Sequence, residues 1–237
     1  MKNGKTKRWF LWLGCVLPTV AAAHTRREAA MIPYSLTKYT QTVLKITDPN
    51  QLLSLPAATF GAGCYWGVEQ AFREVPGVAA TAVGFMGGRI ENPTYERVCR
   101  GDTSHAEVVQ LHYDPNRVSY AQLLTVFFEI HNPTLKNRQG NDIGTQYRSV
   151  IFFHTPEQEA AARTAIADLN KSGRYRRPIV TEIVPAGTFW PGPESHQRYL
   201  EKNPAGYCHI QFPVPVIEEL KKSVPAEPNQ VPPKKED

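Results

Sequence analysis

Between residues 58 and 85 the spacing of apolar residues changes twice, and this constrains the fold more than any other feature of the chain. Ala58 to Phe60 is a short extended run. It leads into Tyr65 to Val75, where Val68, Ala71, Phe72 and Val75 recur three or four apart. That spacing places them on one face of a helix. Pro76 and Gly77 stop the helix, because proline has no N–H to continue it and glycine accepts the reversed backbone that follows. An apolar run from Val78 to Phe85 then reads as a strand. A strand, a helix and a strand in so short a span bury their apolar faces only by laying the helix on a sheet.

The pattern continues. A strand is predicted over His105 to Tyr113, ended by Asp114 and Pro115. Ser119 and Gln122 make a capping box for a helix from Tyr120 to Ile130. Tyr147 to Phe153 reads as a buried strand. Thr155, Pro156 and Gln158 start a helix from Pro156 to Lys171, and a strand from Ile179 to Val184 and a short helix around Ser195 to Lys202 follow. The order β-α-β-β-α-β predicts an α+β domain with helices packed on an open sheet. The segment GGRIENPTYERVCRGDTSH interrupts it as a long loop, of a length that compact domains keep for a function.

Both ends read differently from this core. Residues 1–23 have a basic start, a short apolar run from Trp9 to Val20 and a small-residue close at Ala21 to Ala23, as an export signal does. The run is shorter than the roughly 20 residues of a spanning helix and Pro18 interrupts it, so cleavage, not stable membrane insertion, is expected. Cys15 lies inside the apolar run, which does not fit a lipid-modified cysteine. Residues 24–56 read as an N-terminal extension, 57–215 as the core domain, and 216–237 as a charged, proline-rich disordered tail. The full chain is basic at +5, but removal of residues 1–23 leaves 23 basic against 22 acidic residues. The charge therefore reports the export signal and not nucleic-acid binding.

Three cysteines remain after removal of the signal: Cys64, Cys99 and Cys208. In an oxidising compartment an odd number fits a reactive set better than a disulfide scaffold. Cys64 stands in FGAGCYWGVEQ, at the start of the first predicted helix. Unpaired N–H groups there favour a thiolate, and Gly61, Gly63 and Gly67 permit close approach. A buried core cysteine beside core aromatics is the plainer alternative, against which the glycines argue. Glu107 shares strand parity with Val109, Leu111 and Tyr113. It is either an inward carboxyl with a raised pKa or a strand-end residue reaching solvent, and periodicity does not choose. Tyr95, Tyr147 and Asp142 lie in polar, glycine-rich surroundings that give each only a weak functional claim. Cys208, flanked by Pro204 and Gly206, sits on a segment that reads as mobile, from which it can swing toward another thiol. No CxxC motif, zinc-spaced Cys/His cluster or phosphate-binding glycine loop occurs, so metal and nucleotide cofactors find no support.

GCYWG, GFMGG, NPTY, GDTSHAE, RQGNDIGTQYRS and NPAGYC, in this order, resemble the motifs of the peptide methionine sulfoxide reductase A family. The resemblance spans the whole core. It implies an α/β plait (ferredoxin-like) with an irregular C-terminal segment, and reduction of methionine S-sulfoxide, free or in proteins, without metal or flavin. It further implies Cys64 as nucleophile, Glu107 as proton donor, and Tyr95 and Tyr147 as hydroxyls holding the sulfoxide oxygen. Asp142 falls in the same site, Tyr65 and Trp66 form the aromatic pair that receives the substrate methyl group, and Cys208 is the resolving cysteine. Tyr65 departs from the family's usual Phe, and Phe85-Met86 replaces a commoner Tyr and small residue. With no further cysteine after Cys208, a thioredoxin-like dithiol must meet the Cys64–Cys208 disulfide directly. Cys99 matches a family position read as structural. The expected protein is an exported monomer, periplasmic or secreted, that repairs oxidised proteins. Two alternatives stand beside it: a cysteine hydrolase with His105, His196 or His209 as base, and a non-catalytic binder of oxidised methionine.

Overall fold

The computed structural model describes residues 49–223. The predicted export signal (1–23), most of the extension (24–48) and the end of the tail (224–237) lie outside the described residues. A helix, α1 (Pro49–Ser54), precedes the first strand and buries Leu52 completely, so the expected spacer is already part of the core there.

Strand β1 (Ala57–Ala62) is followed by helix α2 (Tyr65–Arg73), β2 (Val78–Met86), the short helix α3 (Tyr95–Cys99) and β3 (Ala106–Tyr113). Helix α4 (Tyr120–Glu129) comes next, then a two-residue-strand hairpin of β4 (Arg138–Gln139) and β5 (Asp142–Ile143), and β6 (Ser149–Phe153). Helix α5 (Pro156–Lys171), β7 (Glu182–Pro185), β8 (Trp190–Pro191), α6 (Tyr199–Lys202) and α7 (Pro215–Ser223) complete the described chain. The main sheet has the order β7-β6-β1-β3-β2-β8. Its centre, β6-β1-β3-β2, is antiparallel throughout, with β3 inserted between the two strands that α2 connects. This is the α/β plait. Strand β7 extends it in parallel beside β6, and β8 extends it antiparallel beside β2.

Register decides which side chains share the helix-covered face. Phe60 pairs with Val109 on one edge of β1 and with Ile151 on the other, and Phe85 pairs with Glu107. Directly paired residues point the same way. Phe60 stacks on Phe72 of α2 at 5.1 Å and on Phe127 of α4 at 5.2 Å, joining both helices to the sheet. The capping boundaries follow the sequence: Ser119 and Gln122 form a complete capping box on α4, and Thr155 caps α5 with Pro156 in its first turn.

Several elements depart from expectation: Tyr147, read as the start of a strand, instead ends a 3-10 turn in which its N–H bonds the Gly144 carbonyl, and β6 begins at Ser149. The long loop contains α3, because the Thr94 side chain accepts from Arg97 N and starts a helix at Tyr95. Residues 195–198 are not helical. Gln197, fully buried, bonds the backbone of Val83 and Gly192, and Arg198, at φ 52°, donates its N–H to Glu69, so these contacts replace helical ones. The strand expected from Ile179 begins only at Glu182. The tail predicted to be disordered from residue 216 instead continues as α7, because Ile217 is fully buried in the core cluster with Val216 and Leu220 packed beside it. Their three- and four-residue spacing is helical but is diluted by the charged residues around it.

Candidate active site

Cys64 lies where β1 turns into α2. Gly63 adopts φ 97°, a conformation that disfavours side chains, and Cys64 takes the N-cap position at φ −58° and ψ 121°. No capping hydrogen bond closes on its own side chain. The thiol is buried, and its pKa is pushed well above the ordinary cysteine range, first by burial and then by Glu107, with Asp142 and Cys208 adding to the effect. The amide of Trp66 lowers it only in part. The helix start therefore does not by itself make a resting thiolate, contrary to expectation, because desolvation outweighs the partial charge of a few N–H groups.

Glu107 comes from β3, in the middle of the sheet, on the face that α2 covers. It is 2% exposed, which settles the choice that periodicity left open. Its Oε2 accepts from the backbone N–H of Tyr65 at 3.1 Å, one residue past the thiol. Burial raises its pKa from 4.5 to about 8; the Tyr65 N–H opposes the rise and Asp142 adds to it. At neutral pH the carboxyl is mostly protonated and can give up a proton where it stands.

Tyr95, at the start of α3, and Tyr147, at the end of the 3-10 turn Thr145–Tyr147, are both half-buried. Burial pushes both hydroxyls up, and Glu107 acts on both in the same direction, so they remain donors. Tyr147 also feels Cys64 and Asp142, and Tyr95 feels Tyr147 and bonds the Cys99 thiol. Asp142, on the β4–β5 hairpin, accepts from the Tyr207 hydroxyl at 2.9 Å. The structure thus gathers Cys64, Glu107, Tyr95, Tyr147 and Asp142 into one electrostatically connected cluster.

Cys208 belongs to an irregular segment, but a pinned one. His209 bonds the carbonyl of Ala62 through Nε2 at 3.0 Å. A Cβ placed on Gly67 would lie 2.6 Å from the Cys208 sulfur. Gly67 is in the first turn of α2, three residues past Cys64, so its missing side chain makes room for the second thiol over the turn that Cys64 caps. Cys64, Cys99 and Cys208 are all free thiols.

The aromatic pair divides. Trp66 is partly open and stacks on Tyr199 at 3.9 Å, its indole N–H buried without a partner. Tyr65 is not an open pocket wall: it is 1% exposed, with its ring 6.0 Å from Phe85 and its hydroxyl on His196. Sequence reasoning missed the contacts that His196 and Tyr199 make with Trp66 and that Tyr207 makes with Asp142, and the buried ties made by Glu69 and Gln197. The three-residue spacing of His196 and Tyr199 is the one signal that could have found part of this set. None of the three histidines of the hydrolase alternative serves Cys64. His105 accepts from Gly88 N at one ring nitrogen and bonds Ile90 O with the other, His196 is engaged with Tyr65, and His209 with Ala62.

A buried thiol, a buried and protonated carboxyl bonded to the next residue's N–H and a second thiol packed over the same helix turn, carried on an α/β plait, are the parts that a thiol-dependent reductase uses. The family model described as "Peptide methionine sulfoxide reductase" matches residues 56–227. The chain belongs to the peptide methionine sulfoxide reductase family, an oxidoreductase family that reduces methionine sulfoxide at the expense of thiols. It is 65% identical over 155 residues to the peptide methionine sulfoxide reductase MsrA of Methanoculleus marisnigri, covering 65% of this chain and 94% of that relative. It is 47% identical over 191 residues to the MsrA of Cronobacter sakazakii, covering 77% and 90%. Among solved structures, reduced Mxr1 of Saccharomyces cerevisiae superposes with a TM-score of 0.61 at 36% identity, covering 68% of this chain and 91% of that one. Methionine sulfoxide reductase A of Corynebacterium diphtheriae gives 0.58 at 43% identity, covering 64% and 76%.

Proposed function

We propose that Cys64 reduces methionine S-sulfoxide by taking its oxygen, that Glu107 relays the proton, and that Cys208 resolves the product. The observation that carries this is the Tyr65 N–H to Glu107 bond, which holds a protonated carboxyl one residue from a desolvated thiol. The Cys64 sulfur attacks the sulfoxide sulfur as Glu107 gives its proton to the sulfoxide oxygen, and the thiol proton passes back to Glu107. The attack forms an S–S bond to the substrate; the hydroxyl then moves from the substrate sulfur to the Cys64 sulfur as that S–S bond breaks and its electron pair stays on the substrate, so methionine is released and Cys64 becomes a sulfenic acid. Coupling the two transfers avoids separated charges in a dry site. Tyr95 and Tyr147 stabilise charge on the oxygen as it develops, while Trp66 and Tyr199 hold the methyl end. Cys208 then condenses with the sulfenic acid, expelling water and forming the Cys64–Cys208 disulfide.

An external dithiol of the thioredoxin type reduces that disulfide by exchange. Cys208 is partly exposed where Cys64 is buried, so it is the more accessible cysteine of the pair, which supports attack there. The sequence of residues 1–23 supports export, so the reductant belongs to the envelope or the exterior, and the mature enzyme acts as a monomer on oxidised proteins and peptides. Turnover of a methionine S-sulfoxide peptide with dithiothreitol tests the reading. Cys64→Ser is expected to abolish methionine release. Without reductant, Cys208→Ser is expected to release roughly one methionine per enzyme and to keep a dimedone-reactive sulfenic acid. Full multiple turnover by Cys64→Ser would overturn the assignment.

A further inference from the structure

Tyr65 directly follows the reactive cysteine, yet it offers no free ring face to a substrate. Its hydroxyl instead shares a 2.8 Å hydrogen bond with Nδ1 of His196. The aromatic wall converges on His196. Its ring centroid lies 4.5 Å from Tyr95, 5.3 Å from Trp66 and 6.1 Å from Tyr199, at interplanar angles of 74°, 70° and 63°. The main chain after it is fixed by Gln197 and by the Arg198 N–H on Glu69, but those bonds leave the imidazole to rotate about its own side-chain torsions. The Tyr65 hydroxyl makes a directional bond to that ring, beside its aromatic contacts. A Cβ on Gly192 would press on the carbonyl of Val83 at 3.2 Å and only touch the Tyr65 hydroxyl at an ordinary contact distance of 3.4 Å.

We infer that Tyr65 is a positioning residue acting on the substrate through His196: its hydroxyl sets the imidazole plane, and the imidazole sets the spacing of the Trp66 and Tyr95 rings that face the methionine sulfoxide. The inference rests on the proposed assignment of Trp66 and Tyr95 to the substrate pocket. It explains how a polar group beside an apolar methyl site is accommodated, since the hydroxyl is turned away from the pocket and paired. Loosening of the Trp66 ring acts alike on bound substrate and transition state and so appears in KM, while the Tyr95 hydroxyl, which acts on the transition state, keeps its place at the start of α3, so kcat changes little.

The test uses the full-length protein, a methionine S-sulfoxide peptide and saturating dithiothreitol. Tyr65→Phe keeps the ring and removes only the hydrogen bond. It is expected to raise KM about five-fold, the effect of one ordinary hydrogen bond, with kcat changed less than about two-fold. In a His196→Ala background the same substitution is expected to change KM by less than about two-fold. An unchanged KM in Tyr65→Phe, or an equal KM effect with and without His196, overturns the inference. Absence of turnover in the wild type would instead remove the catalytic reading beneath it.

Discussion

Replacement of Glu107 by glutamine tests the proton relay and the stability linked to it in one variant. Glu107 is 2% exposed, and burial raises its carboxyl from 4.5 to about 8. Between those two values the folded protein keeps a proton that the unfolded chain has lost, so wild-type stability falls as pH rises through this window. At about 1.4 kcal/mol for each pH unit, the full effect has an upper limit of about 5 kcal/mol. Relaxation and water entry in a real interior reduce this, and about 2 to 4 kcal/mol is expected. In Glu107→Gln the side chain carries no charge and keeps a carbonyl oxygen for the Tyr65 N–H. Urea denaturation at pH 5 and pH 8.5 is therefore expected to show a stability advantage of the variant that appears only at the higher pH. Single-turnover methionine release is expected to fall about 10²- to 10⁴-fold in the variant near neutral pH, the usual worth of a positioned acid. In the wild type it is expected to decline above pH 8 as Glu107 deprotonates. A stability difference that is the same at both pH values, or a wild-type rate that climbs through pH 9 as an ordinary thiol ionises, would refute the reasoning.

Gly67→Ala places a methyl group 2.6 Å from the Cys208 sulfur and 3.3 Å from Ile210, so it is expected to displace the resolving cysteine at a cost of about 1–3 kcal/mol in stability. Rapid-quench thiol counting is expected to show a normal first methionine release and a disulfide that forms at least about ten-fold more slowly; a wild-type disulfide rate would contradict the packing. Tyr147→Phe removes a hydroxyl donor while keeping the ring, and kcat/KM for the peptide is expected to drop about 10- to 100-fold, with no loss counting against the role in oxygen stabilisation. For the address, cell fractionation and N-terminal sequencing are expected to find a chain that starts near residue 24 outside the cytosol. Intact precursor confined to the cytosol would refute export.

Local sequence determined the elements and the chemistry-bearing residue types. The helical spacing of Val68, Ala71, Phe72 and Val75 located α2, and Ser119 with Gln122 located the start of α4. These signals work because a cap or an amphipathic face is decided within one or two turns of chain. The glycine-framed Cys64 and the strand parity of Glu107 were legible on the same local scale. Tertiary structure decided what those residues experience. Whether Glu107 met water or a core depended on α2 covering β3, and whether Cys64 was a thiolate depended on desolvation, which no helix-start rule contains. His196 and Tyr199 reach Trp66 because Glu69, Gln197 and the Arg73–Glu201 ion pair tie a distant segment of the chain to α2 and β2. Likewise the hydroxyl of Tyr65, which the sequence alone would send into the substrate site, is turned onto His196 by contacts that bring together residues 131 positions apart. Periodicity and capping are short-range properties of the chain, whereas burial and the pKa values that follow from it are properties of the assembled fold.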